Sequence, residues 1–285
     1  MEFELTPVES RGGYLFKRDD LFMPYDFCRI NGSKLRQCIL LVDKNREKAA
    51  KGIITGTSVL SPQAAITSAV AKANGYPCSI YYGGTTPTAL AKYDYPRLCA
   101  HLGADVRIVS RSGMTSVLNA IVSRRVEQTG ELAIRYGFDL RNNLDVFITS
   151  VAQQCQNLPD HLDNLVMVVG SAITLIGVLC GISMYGKDVD RIVGVGCAPN
   201  RMAKIEAYAE LVRDVLGVSL PLDKLKYVDA FNIYKGFKYE DTVTAKYYGL
   251  AFHPRYEAKA FKYMYNQIPP NQGEKTLFWI NGQAI

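Results

Sequence analysis

A lysine that is to form an imine must present a neutral amine, and partial burial favours that form over the ammonium. Lys34 is the residue of this chain best placed for such chemistry. It stands in Ile30-Asn31-Gly32-Ser33-Lys34-Leu35-Arg36, just after a glycine turn and at the opening of an apolar helix. A second stretch has the composition of an anion site. Val169 closes a strongly apolar run, and Gly170-Ser171-Ala172-Ile173-Thr174 then offers backbone N–H groups and two hydroxyls at the start of another helix. Ordinary helix capping by Ser171 or Thr174 accounts for the same residues. The turn lacks the GxxxxGK[ST] pattern of nucleoside triphosphate loops, and residues 56–61 offer no GxGxxG for a dinucleotide.

The elements that must position these residues read as strands and helices in alternation. Residues 14–18, 52–56, 78–82, 105–109, 165–169, 191–195 and 276–280 have the composition of strands. Helical spacing recurs over 34–51, 63–73, 88–102, 116–127, 144–155, 175–184 and 201–216, with Ser61 as cap and Pro62 in the first turn of the second of these. Two further helices are predicted at 242–248 and 256–265. Such alternation predicts an α/β fold whose parallel sheet is covered on both faces, with ligands at the carboxyl ends of its strands.

Composition narrows the function classes. With 285 residues, 48% hydrophobic and 21% charged, the chain is an ordinary globular one. No apolar run approaches the roughly 18 residues of a membrane span, and the start is acidic where a secretory signal is basic, so no membrane partner and a cytoplasmic location are expected. Seven singly scattered cysteines read as reduced, mostly buried thiols. Three separated histidines make a catalytic or structural metal unexpected. The formal charge of +6 permits an anionic partner without demanding one.

An imine-competent lysine and a phosphate turn on one α/β scaffold point to pyridoxal 5'-phosphate, its aldehyde on Lys34, its phosphate at Gly170–Thr174 and its ring nitrogen facing a polar side chain. The order of motifs resembles the fold-type II (tryptophan synthase β-like) pyridoxal-phosphate enzymes, and most nearly the 1-aminocyclopropane-1-carboxylate deaminase and D-cysteine desulfhydrase family. Lys17-Arg18-Asp19-Asp20-Leu21 is similar to that family's KREDL, and Asn31-Gly32-Ser33-Lys34-Leu35-Arg36 to its GGNKxRK. Ser58-Val59-Leu60-Ser61-Pro62-Gln63 occupies the place of its GIQSNH loop, and Gly170–Thr174 that of its GSGGT turn. Gly249–Tyr256 with Ala258-Lys259-Ala260 is similar to GIxLDPVYxxKA, and residues 277–282 stand for its terminal LFIHTGG.

The resemblance implies two open, twisted, mainly parallel sheets flanked by helices, with the cofactor in a cleft between a large domain (1–45 plus 143–285) and a small one (46–142). It implies that Lys34 carries the cofactor as a Schiff base, that Gly170, Ser171, Ala172, Ile173, Thr174 and Asn281 bind it, and that the enzyme is a homodimer. Ser61 is implied to contact substrate carboxylate or the reacting carbon, with Ser58, Gln63 and Tyr239 also toward substrate. Tyr248 is a candidate proton relay, and Tyr234, Tyr239 and Tyr247 are alternatives to it. The pattern also departs from the family. Its asparagine after the serine is Pro62, which leaves Gln63 or backbone to meet the cofactor's phenolic oxygen. The threonine facing the ring nitrogen is Asn281, two glycines of the phosphate turn are Ala172 and Ile173, and Tyr248 stands where an acidic residue precedes Gly249.

The resemblance implies a lyase or deaminase acting on an amino acid or amine, with deamination, β-elimination and decarboxylation all open. A second reading keeps the cofactor and takes an amino acid attached to a nucleobase, as in bacteriophage DNA hypermodification, which would make DNA a partner. Its motives are the altered 58–63 loop, the positive charge and the Tyr/Lys-rich tail. A third is a cofactor-binding module that turns nothing over.

Overall fold

The computed structural model describes residues 3–135, 140–271 and 273–282, the side chain of Asn142 apart. In chain order its elements begin with β1 (Val8–Arg11), β2 (Tyr14–Arg18), α1 (Ser33–Lys44), α2 (Arg46–Lys51), β3 (Ile53–Thr57), α3 (Gln63–Asn74) and β4 (Cys78–Gly83). There follow α4 (Pro87–Leu90), α5 (Asp94–His101), β5 (Asp105–Ser110), α6 (Thr115–Thr129), β6 (Leu132–Ala133), α7 (Leu144–Ala152), β7 (His161–Val169) and α8 (Ile173–Met184). The last are β8 (Asp188–Gly196), α9 (Met202–Leu216), β9 (Leu225–Val228), α10 (Ala230–Ile233), β10 (Lys246–Tyr247), β11 (Leu250–Ala251), α11 (Glu257–Gln267) and β12 (Thr276–Ile280).

The α/β fold class is as expected, and the chain forms two compact units. One takes in the chain up to Phe22, Asn31–Ser33, and the stretch from Leu140 onward; the other takes in Met23–Ile30 and the stretch from Lys34 to before Leu140. Helix α1 groups with the second, whereas the sequence alone carries the large domain to residue 45. Residues 136–139, which the sequence assigns to the small domain, lie outside the described residues.

The first unit holds a six-stranded sheet in the order β1-β2-β12-β7-β8-β9, parallel except for the antiparallel β1. Its two faces follow from strand alternation. Phe16, Val166, Val193, Phe278 and Ile280 look one way, onto Phe252 and Phe261, whose rings stack at 4.4 Å. The other face meets α8, where Leu175 lies against Gly194. The KREDL-like motif turns out to be a fastening. Lys17 is fully buried and donates to Thr6 O (2.6 Å) and Asn157 Oδ1 (2.7 Å), while Asp19 accepts from Thr6 Oγ1 (2.9 Å) and Trp279 Nε1 (3.3 Å). Arg18 pairs with Asp20 and Glu9.

The second unit holds a parallel sheet in the order β5-β4-β3-β6. Ile54 and Tyr81 pack on α6, and Thr55, pointing the opposite way, meets α3. The cysteines are free thiols, all buried but Cys28. Among the described residues no helix is long and apolar enough to cross a membrane.

Three expected helices differ. The one over 34–51 breaks at Asn45, whose amide turns back to Leu41 O at 2.8 Å. The one over 88–102 is interrupted, since Pro96 has no N–H to give residue 92. Residues 242–248 do not form a helix: Lys246-Tyr247 pairs with Leu250-Ala251 around a two-residue turn, Tyr248-Gly249, with φ of 43° and 83°. Two consecutive positive φ values make the hairpin turn whose twist suits paired strands.

Helices α7 and α8 approach closely because α8 carries Gly177 and Gly181. A Cβ at Gly181 would lie 2.6 Å from Cys155 Sγ and 2.7 Å from Ala152 O. Gly181→Ala is expected to cost about 1–3 kcal/mol by overpacking, read as a lower urea midpoint with unchanged slope.

Candidate active site

The Gly170–Thr174 turn leaves the sheet at the carboxyl end of β7. Ala172 adopts a left-handed conformation, φ 72° and ψ −9°, and caps the twelve-residue α8. A non-glycine residue pays about 1–2 kcal/mol there, so the surroundings hold a glycine-like backbone on an alanine that is 3% exposed. The kink directs the first-turn N–H groups of α8, which have no intrahelical acceptors, away from the helix body. Above Gly170 the space is open: a Cβ built there meets nothing within 4 Å.

On the adjacent strand, β12, Asn281 follows the last residue. Its Nδ2 lies 3.4 Å from Val168 O, and its Oδ1 is buried with no hydrogen-bond partner among the described residues. Leaving such an acceptor unmatched costs about 1–3 kcal/mol, which a polar ligand group would recover. Anion-binding donors at one strand end and an unmatched amide at the next fit a phosphorylated pyridine.

The loop before the candidate lysine is tied to the same place. Ser33 N–H donates to Asn281 O at 2.8 Å, and Ser33 Oγ lies 3.3 Å from the same oxygen. Gly32 (φ 94°) and Gly282 (φ 135°) meet back to back, where a Cβ on Gly282 would lie 2.6 Å from Gly32 Cα. Both glycines are needed, for their backbone angles and for the closeness of approach. Lys34, half-buried, is the next residue along, in the first turn of α1.

Tyr239 belongs to the same carboxyl edge. Its hydroxyl is 2.7 Å from that of Tyr256, and Tyr256 O lies 3.9 Å from Cys197 Sγ, just past the end of β8. Lys259, fully buried, donates from Nζ to Lys238 O at 2.5 Å and so holds the loop that carries Tyr239; burial lowers its pKa.

Tyr248 is a correction. It is 68% exposed, its ring lies over Gly12 in the β1–β2 turn, and its carbonyl accepts from Arg11 Nη1 at 2.9 Å. Leu15, Leu277 and Leu165 lie abreast in the sheet, so Gly12 sits at the amino ends of the parallel strands. Gly170 is five residues beyond Leu165 on the opposite edge, roughly 17 Å along the strand. A proton relay from Tyr248 is excluded by that separation. Tyr247, an alternative to it, is also at the amino edge, its hydroxyl donating to Gly12 O.

In the second unit the 58–63 loop follows β3. Ser58 Oγ accepts from Leu60 N–H and Ser61 Oγ from Gln63 N–H, both at 3.3 Å, so each hydroxyl serves a turn as acceptor and keeps its own proton to donate. Ser61 is buried and Ser58 half-buried. Gln63 is a second correction. Fully buried, it donates from Nε2 to Thr55 Oγ1 (2.8 Å), Ile134 O (3.3 Å) and Arg135 O (2.9 Å), which commits that amide nitrogen to joining α3, β3 and the chain after β6. It does not stand in for the asparagine that Pro62 replaces.

A group that could hold a cation, His161 with Asp163 and Asp190, is at the opposite edge, at the starts of β7 and β8. Sequence reasoning gave Arg201, at the carboxyl edge, no part beyond opening a helix.

The model of the family described as pyridoxal-phosphate dependent enzyme matches residues 6–221. The chain belongs to this family. This pyridoxal-phosphate enzyme is 26% identical to an O-seryl-dTMP PLP-dependent decarboxylase of Salmonella phage ViI, over 94% of this chain and 77% of that protein. The crystal structure of an ACC deaminase homologue superposes with a TM-score of 0.75 at 19% identity, covering 98% of this chain and 89% of that one. Threonine deaminase isoform 2 from Solanum lycopersicum gives 0.64 at 18% identity, over 98% and 84%. The fold is therefore that of the fold-type II pyridoxal-phosphate enzymes, and the cofactor is pyridoxal 5'-phosphate.

His253 gives the carboxyl edge a pH signature. It is 7% exposed, its ring is 4.8 Å from that of Tyr256, and its Nδ1 accepts from Arg255 N–H at 3.2 Å. Burial first, then the charges of Arg255 and Lys259, hold its pKa down to about 4. Between the ordinary value of about 6.5 and 4, the unfolded chain takes up a proton that the folded chain refuses, so stability falls with pH across that window and levels off below it, by at most about 3 kcal/mol. His253→Gln is expected to flatten the Tm profile between pH 6.5 and 4; an unchanged slope would assign it to other groups.

Proposed function

We propose that this pyridoxal-phosphate enzyme decarboxylates an amino acid carried on a pyrimidine nucleotide, of the O-seryl-dTMP kind. The supporting observation is the 26% identity, spread over 94% of the chain, to the phage O-seryl-dTMP decarboxylase. The departure from the deaminase pattern in the 58–63 loop, where Pro62 replaces the asparagine, falls on the side expected to meet substrate and agrees with a changed substrate. Exposed Lys226, Lys235 and Lys238 suit an anionic substrate. Deamination or β-elimination of a free amino acid is the wider reading that the family permits.

When bound, the cofactor supplies an electron sink for the pair left at Cα as a bond to it breaks. In this proposal Lys34 holds the cofactor through its Nζ and, once released by the substrate amine, holds or returns the proton at Cα. The Gly170–Thr174 turn grips the phosphate. Asn281 orients the ring through the side-chain amide whose oxygen is otherwise unmatched; an amide cannot protonate the ring as a carboxylate partner does, so it keeps the sink moderate. Ser61, with Ser58, donates a hydroxyl proton to the substrate carboxylate, and Tyr239 orients the substrate. The domain division, a cleft site, a homodimer and a cytoplasmic location are part of the same proposal.

Two measurements test it. Purified protein is expected to absorb at roughly 410–420 nm, as lysine-bound cofactor does, and Lys34→Ala to abolish that band; persistence of the band would remove Lys34 from its role. Incubation with O-seryl-dTMP is expected to yield carbon dioxide and the corresponding amine, for the free nucleotide or for duplex DNA carrying the group. Release of ammonia and a keto acid from free amino acids, with none of these products, would favour the deaminase reading.

A further inference from the structure

Nothing in Gly170-Ser171-Ala172-Ile173-Thr174 carries a positive charge, yet the proposed ligand there is a dianion. Backbone N–H groups and hydroxyls supply partial charges only. The nearest full charge given by a contact is Arg201, which precedes α9 just beyond the end of β8. Its Nε donates to Gly170 O at 3.1 Å. Its two Nη atoms have no hydrogen-bond or ion-pair partner among the described residues. A guanidinium is planar and offers five N–H donors in a fixed fork. With Nε anchored to the first peptide of the turn, the rest of the fork is held beside Gly170, where the missing Cβ leaves open space.

The floor beneath Arg201 is built to keep it there. Tyr227 reaches over Gly196, where a Cβ would come within 2.2 Å of its hydroxyl. That hydroxyl is buried with no hydrogen-bond partner, and burial raises its pKa, with the Arg201 backbone and the Asp229 carboxylate as its polar neighbours. Asp229 keeps Oδ2 on Asn232 Nδ2 at 2.9 Å. Gly196 thus admits a tyrosine whose hydroxyl neighbours the Arg201 backbone, all of it at the ends of β7, β8 and β9.

We propose that Arg201 is a positioning residue for a phosphate monoester, that of the cofactor: Nε fixes the first peptide of the turn, and the Nη face supplies the charge that the turn lacks. The inference rests on the cofactor reading above. It also explains how the turn holds its ligand although two family glycines are Ala172 and Ile173.

The test is binding, with the full-length apo-protein titrated in parallel with pyridoxal 5'-phosphate and with pyridoxal, which lacks the phosphate. Arg201→Gln is expected to raise the Kd of the phosphorylated form about tenfold or more and that of pyridoxal less than about twofold, with Arg201→Lys in between because a lysine lacks the fork. Gly170→Ala, whose added methyl enters open space and leaves the fold intact, is expected to show the same selectivity. Inorganic phosphate should compete with the phosphorylated ligand in the wild type and not with pyridoxal. Equal weakening of both ligands in Arg201→Gln would make the residue merely structural and overturn the inference, as would no weakening. A raised KM for O-seryl-dTMP with unchanged cofactor affinity would move the contact to the nucleotide's phosphate and also overturn it. A wild type that binds neither ligand counts against the cofactor reading instead.

Discussion

Two glycines in contact without side chains between them fix the geometry on which the chemistry depends. Gly32 and Gly282 approach so closely that no other residue fits either position, and Ser33 N–H is bonded to Asn281 O across the same junction. One hydrogen bond of this kind contributes only about 0.5–1.5 kcal/mol. Its importance is positional: the residue before the lysine proposed to carry the cofactor and the residue proposed to hold the ring are tied to one another by backbone. A side chain at either glycine would push both away.

The carboxyl edge of the six-stranded sheet carries a strained turn. Ala172 takes the left-handed angles that a glycine would take freely, and the cost is borne because packing on either side leaves no other path. The hydroxyls of Ser171 and Thr174 are kept. Elsewhere the family pattern survives as fastening and not as chemistry. Lys17 and Asp19 are locked into contacts with Thr6, Asn157 and Trp279, which gives this charged motif a structural task.

The alternation was legible in the sequence. Parallel strands buried on both faces read as apolar runs, and helix starts carry their caps, so the order of strands and helices and the family stood out. What failed has a common cause. Tyr248 and Gln63 were placed by their position in a motif, but a motif does not say which way a side chain points once the backbone bends. The Tyr248-Gly249 turn converts an expected helix into a hairpin and carries the tyrosine to the far edge. Gln63 sits one residue past Pro62, where the first turn of α3 aims it back at Thr55. Arg201 escaped because long-range contacts between strand ends leave no periodic trace.

Trp279 is the only tryptophan of the chain, and it is fully buried in β12, two residues before Asn281, with its indole N–H on Asp19. The protein therefore carries one indole fluorophore, and it lies in the strand that leads to the proposed ring partner. With excitation at the red edge of its band, beyond the absorption of the 18 tyrosines, its emission reports on that strand, next to the proposed chemistry, with no added label.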